Sequence, residues 1–205
     1  MNVSTLTLIA AAVSCVAALG QDADDLTLAR LLAHQDTQQA AVRSVTNAGD
    51  RVRVLLSWTK APPTQLNDLE LTVLDDGLAD IFGMLKTEDA IPFLLKNIGR
   101  QRFPPSGGVI WTKPLAFMEE QMPAMAALIK IGPPAAKAII QASPWDMGHA
   151  ERLAAIVAVS EIAYQMKDPQ QELTFLRGML AQANGERRFA EEGLKQLERR
   201  TGDGR

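Results

Sequence analysis

Apolar residues along this chain recur at three- and four-residue steps, in runs separated by polar or Gly/Pro turns. That period is the helical one. The clearest run is residues 66–86, where Leu66, Leu69, Val73, Leu74, Leu78, Ile81, Phe82 and Leu85 alternate with Asp68, Asp75, Asp76 and Asp80. It predicts an amphipathic helix with the aspartates on its solvated face, and Thr64 is placed to cap it. Before it, residues 24–47 read as helix in one or two pieces, carrying Leu26, Leu28, Leu31 and Leu32 and then Ala40, Val42 and Val45. Val52 to Lys60 fits helix or strand by pattern; its helical context favours helix. Thr87 then caps a short helix with Ile91, Leu94, Leu95 and Ile98, with Pro92 in its first turns and Gly99 at its end.

Beyond the middle of the chain, Pro114 fits the start of a new helix. Leu115, Met118, Met122, Met125 and Ile129 form its stripe, and Pro123 inside that stripe predicts a kink or a break. The methionines read as core. Gly132 closes this unit, and Pro133-Pro134 opens a short partner with Ala136, Ile139 and Ile140 on its apolar face. His149 to Met166 is a third long helix, with Leu153, Ile156, Val157, Ser160 and Ala163 inward. Asp168-Pro169 begins its partner, which carries Leu173, Leu176, Met179 and Leu180. A last charged helix follows with Ala190, Leu194 and Leu197 inward, and residues 201–205 read as a frayed tail.

Two of these stretches say the same thing in different residues. Gly83 to Leu95 and Ala127 to Ile140 each read as the end of an apolar helix, a tight turn and the start of a second apolar helix. A recurring helix–turn–helix unit marks an α-solenoid, in which a unit buries its faces only against its neighbours. Leu95, Ile140 and Leu176 align as equivalent positions at spacings of 45 and 36 residues, around the ~40–47 of HEAT-type units. On these residues, with Lys167-Asp168-Pro169 as a weaker third bend, the chain resembles bacterial HEAT-repeat proteins of the ARM-type superhelical fold. The resemblance covers roughly residues 64–182 and implies an all-α fold, a short α-solenoid of helical pairs. An irregular helical bundle is the alternative. It also implies a binding surface rather than a reaction. One domain is expected over residues 21–200, interrupted by an inserted loop at 100–113.

The first twenty residues are a different material. Met1 to Gly20 has no charged side chain, and Ala18-Leu19-Gly20 precedes a polar Gln21-Asp22. This reads as an export signal cleaved before Gln21, with a periplasmic or secreted product, although no Lys or Arg precedes the apolar run. An uncleaved anchor over residues 3–20 and a lipidated Cys15 are the alternatives. Cys15 is the one cysteine, so a cleaved chain holds no disulfide or thiolate site.

Net charge is −3, and no basic face of the kind nucleic acid requires is visible. The two histidines, His34 and His149, lack metal-ligand spacing, and no cofactor or metal is expected. Asp75-Asp76 and Glu119-Glu120 are adjacent pairs whose members diverge by about 100° on a helix, so each reads as solvated surface. No nucleophile motif appears, and the chain reads as non-catalytic. The best binding candidate is the 100–113 loop. Pro104-Pro105 and Gly107-Gly108 interrupt helix there, and Arg100, Arg102, Phe103, Trp111 and Lys113 combine charge with aromatic area. Either these residues engage a partner, or Phe103 and Trp111 plug a gap between repeats. The expected function is an exported scaffold that binds another protein. A small-ligand or glycan-binding module using the loop is the alternative.

Overall fold

Every described element of the computed structural model is helical. The structure describes residues 21–45, 51–63, 65–102, 114–142, 147–166, 168–182, 190–191 and 193–195. The expected export signal at 1–20, the Thr64 cap, the tail at 201–205, and Phe103, Trp111 and Lys113 of the loop lie outside these residues. The chain divides into two compact units, residues 1–85 and 86–205. Each is described by itself.

The first unit contains α1 (Gln21–Leu32), α2 (Gln35–Val45), α3 (Val52–Trp58) and α4 (Asp68–Leu85). The 24–47 stretch is thus two helices, which pack on each other and on α4. Leu28, Ala29, Leu32, Ala41, Val42, Val45, Leu74, Leu78 and Phe82 are buried. Removing a Leu or Phe of this kind from water is worth about 1.5–3 kcal/mol.

The two-residue turn between α1 and α2 leaves the last carbonyls of α1 without helical donors. Side chains from the next helix supply them. The Thr37 hydroxyl donates to the Leu31 carbonyl at 2.7 Å. Gln38 Nε2 donates to the Leu32 carbonyl at 3.0 Å and to the Val73 carbonyl of α4 at 2.6 Å. Gln38 is itself buried, and a Cβ on Gly77 would lie 3.1 Å from its Nε2. Gly77 therefore leaves room for the amide that ties three helices together.

The start of α4 falls two residues later than its apolar pattern suggests. Asn67 Oδ1 accepts the Glu70 N–H at 3.0 Å, and Glu70 Oε2 accepts the Asn67 N–H at 2.8 Å. This reciprocal capping box fixes the first turn. Leu69 accordingly lies outside the packed stripe and is 51% exposed. Asp76 departs from expectation in the other direction: it is buried, not on a solvated face. The helix stops at Leu85 because Lys86 turns left-handed, with φ 51°, a conformation disfavoured for a residue with a Cβ.

The second unit begins with a 3₁₀ turn at Glu88–Ala90. It continues through α5 (Ile91–Lys96), α6 (Leu115–Gln121), α7 (Pro123–Ile131), α8 (Pro133–Gln141), α9 (His149–Gln165) and α10 (Gln170–Gln182). Thr87 stands at the head of the 3₁₀ turn but makes no side-chain cap. Pro123 breaks its stripe into α6 and α7: it offers no N–H and forces Met122 out of the helical region, to φ −127° and ψ 75°. Met118, Met122 and Met125 are core, as their stripe predicts. Gly132 separates α7 from α8 at φ 85° and ψ −139°, which only glycine adopts without strain. Pro133 and Pro134 follow at the first helical positions, where a missing N–H costs nothing.

Within this unit α7 packs on α8 and α9, α8 on α9, and α9 on α10; α5 packs on α7 and α8, and α10 also meets α8. All of α7 except Lys130 is buried, as is every α9 residue from Leu153 to Ser160. Their runs of alanine allow close approach. Two glycines serve tight packing. A Cβ on Gly99 would lie 2.7 Å from the backbone nitrogen of Glu151, so the chain after α5 rests on the first turn of α9. A Cβ on Gly193 would overlap the Ser160 hydroxyl, and beside it Ala190 and Leu194 are buried.

Candidate functional site

Of the five loop residues singled out by sequence, the structure places Arg100 and Arg102, both half-buried. Arg102 is tied to the end of α6. Its backbone N–H donates to the Gln121 carbonyl at 2.6 Å, and its Nε donates to the Glu120 carbonyl at 3.0 Å. The cause lies in Pro123. A proline cannot donate, and the turn at Met122 carries the chain away, so the last carbonyls of α6 lack their usual partners. A guanidinium at a helix C-terminus meets the negative end of the helix dipole as well. Arg102 therefore roots the loop on α6, and part of its hydrogen-bonding capacity is used within the chain.

A concave site lies elsewhere in the same unit. Ile140 at the end of α8 and Gln170, Gln171, Thr174 and Phe175 of α10 line an open groove of about 440 Å³. Ile140 and Phe175 are half-buried, while Gln170, Gln171 and Thr174 are exposed. The Thr174 hydroxyl donates to the Gln170 carbonyl at 2.8 Å, which leaves its oxygen able to accept. Local sequence builds this face. Leu173 and Leu176 turn inward and are buried, so residues 171, 174, 175 and 178, at steps of three, one and three, share the outward side. None of the described lining residues carries a charge. The sequence reading missed Phe175. Its signal is phase: an aromatic that does not fall on the stripe of Leu173 and Leu176.

The acidic pairs resolve differently. Glu119 is half-buried and bears on Glu161 of α9, while Glu120 is exposed. Burial, and then the Glu119 charge, hold the Glu161 carboxyl above its ordinary value. A raised carboxyl suits a proton donor, yet neither glutamate lines the groove. His34 lies 3.8 Å from Glu70 on an exposed surface, and His149 opens α9. Among the described residues no group of three or more His, Cys, Asp or Glu is placed to hold a metal ion. No described helix is long and apolar enough to cross a membrane. No family model, curated protein or solved structure matches this chain.

Proposed function

We infer that this chain is an exported, non-catalytic scaffold of HEAT-like helical pairs that binds another protein. The order of packing in the second unit carries the reading. Taken as pairs, α7–α8 and α9–α10 bring first helix against first helix, α7 on α9. Second helix meets second helix, α8 on α10, and α5 also contacts α8. That order is what stacked two-helix repeats require. The bends at Gly132 and Asp168-Pro169 fall between the members of each pair. The largely buried first helices leave the second helices to present a surface. Export rests on the uncharged segment 1–20 followed by Gln21.

The test is expression of the full chain with a C-terminal tag in its native host, then cross-linking and mass spectrometry. An N-terminus at Gln21 and one reproducible exported protein cross-linked to residues of α8 or α10 is the expected result. An N-terminus at Met1 removes the cleaved-export reading. Cross-links confined to copies of unrelated abundant proteins remove the scaffold reading. A second reading, a small-ligand module, is supported by the groove, whose described lining carries no charge.

A further inference from the structure

The groove between α8 and α10 has a composition that selects among ligands. We propose that it is a binding site for a neutral saccharide, independent of any protein partner. Its volume of about 440 Å³ lies in the range of small-molecule sites, ~300–1,000 Å³. An ionised ligand would lose water there without gaining a counter-charge from any described lining residue. The polar groups are not scattered. Gln170, Gln171 and Thr174 fall within the first five residues of α10, and the apolar wall is Phe175 with Ile140. Such a site suits a ligand with one hydrogen-bonding edge and one apolar face. A pyranose ring has this form, with hydroxyls around its edge and C–H groups on its face. Each glutamine amide offers both donors and an acceptor, as vicinal hydroxyls require. A peptide instead carries its polar groups along both edges of an extended backbone, and a helix surface has no free backbone ladder to meet them.

Gly178 is an independent sign. It follows Thr174 and Phe175 on the same outward side of α10, and a Cβ there would meet nothing within 4 Å. Glycine is the weakest helix former after proline, and no contact among the described residues requires it at this position. A larger side chain there would project beside the groove, one turn on from Thr174 and Phe175.

The experiment is NMR titration of the ¹⁵N-labelled full chain with maltose, cellobiose and N,N′-diacetylchitobiose. A capped tetra-alanine peptide and digalacturonate serve as the contrasting probes. At least one neutral disaccharide should give saturable shifts in the Gln170 and Gln171 side-chain amides and the Gly178 backbone amide. Gln171→Ala should weaken that binding about five- to tenfold, the effect of one or two lost hydrogen bonds. Gly178→Val should abolish it with helicity unchanged, and Arg177→Ala on the same helix should leave it intact. Absence of a saturable shift up to about 20 mM, far weaker than ordinary small-ligand affinity, overturns the proposal. So does tighter binding of the peptide, equal binding of digalacturonate, or binding that survives both groove variants.

Discussion

The amide of Gln38 offers the sharpest test of how the first unit is held together. It is buried and donates to two carbonyls, Leu32 at 3.0 Å and Val73 at 2.6 Å. Gln38→Met keeps length and volume while removing both bonds. The Val73 carbonyl lies inside α4 and retains its helical partner, but the Leu32 carbonyl ends α1 and is left without a donor. A net bond is worth about 0.5–1.5 kcal/mol and an orphaned buried acceptor about 1–3 kcal/mol. The expected loss is therefore about 2–3 kcal/mol, with the orphaned Leu32 carbonyl the larger share. Gly77 supplies the internal control. An added Cβ there would sit 3.1 Å from Gln38 Nε2, 3.3 Å from Gln38 Cγ and 3.2 Å from Leu32 Cδ2. With Gln38 present, Gly77→Ala must displace the amide, which offsets the helix-propensity gain of about 0.8–1 kcal/mol. With Gln38→Ala in place, two of the three contacts vanish, only Leu32 Cδ2 at 3.2 Å remains, and most of the gain should appear. Urea unfolding of the full-length single and double variants, followed by far-UV circular dichroism, reads the cycle. Coupling of about 0.5 kcal/mol or more is expected between residues in contact. Additivity within about 0.3 kcal/mol would refute the claim that Gly77 exists to admit the Gln38 amide.

Four further outcomes follow from local geometry. Asn67→Ala removes half of the capping box on α4 and should cost about 1 kcal/mol, with Asn67→Asp close to neutral; equal losses for both would argue against capping. Lys86→Gly relieves a left-handed residue and should raise stability by about 1 kcal/mol, whereas a loss in the same unfolding assay would contradict the strain. Arg102→Ala should lower stability by about 0.5–1.5 kcal/mol through the Glu120 carbonyl; an unchanged midpoint would mean that the arginine does not root the loop. Glu161 binds its proton more tightly in the folded chain than in the unfolded one, because of burial and then Glu119. Stability should therefore fall as pH rises through its folded-state pKa, above the ordinary 4.5. Glu161→Gln should stabilise the protein at neutral pH, and the advantage should shrink as the pH falls toward 4.5; a pH-independent difference would reject this account.

The elements that were legible in the sequence are those set by local rules. The break at Pro123, the stop at Gly132 and the inward positions of α9 follow from a missing N–H, a positive φ and a 3.6-residue period. The paired-helix reading also rests on these, since two bends and three stripes suffice to write it. What was not legible depends on neighbours distant in sequence. Gln38 looks like a surface residue of α2 until the Leu32 and Val73 carbonyls are brought to it. Asp76 and Glu172 are charged in sequence and buried in the fold. Arg102 reads as available for recognition because its partners, the carbonyls of Glu120 and Gln121, are backbone atoms that no side-chain pattern advertises. The groove escaped for a related reason: Ile140 belongs to the stripe of α8, and only the position of α10 turns it into a wall.

Burial in the second unit also narrows where recognition can occur. A helix apolar on every side has no surface to give, and α7 and α9 approach that condition. Substitutions on them act on folding before they act on any partner. The helices α8 and α10 are different. Each sends one stripe inward, Ala135, Ala136 and Ile139 on α8 and Leu173 and Leu176 on α10. Each keeps the opposite side outward, and the outward residues meet at Ile140 and Phe175. Two half-buried apolar side chains of this kind are an unspent driving force, since covering them would remove further apolar area from water. The same two helices also contact each other. The side that α8 and α10 leave outward is thus also where this chain places its groove, whose described lining is uncharged.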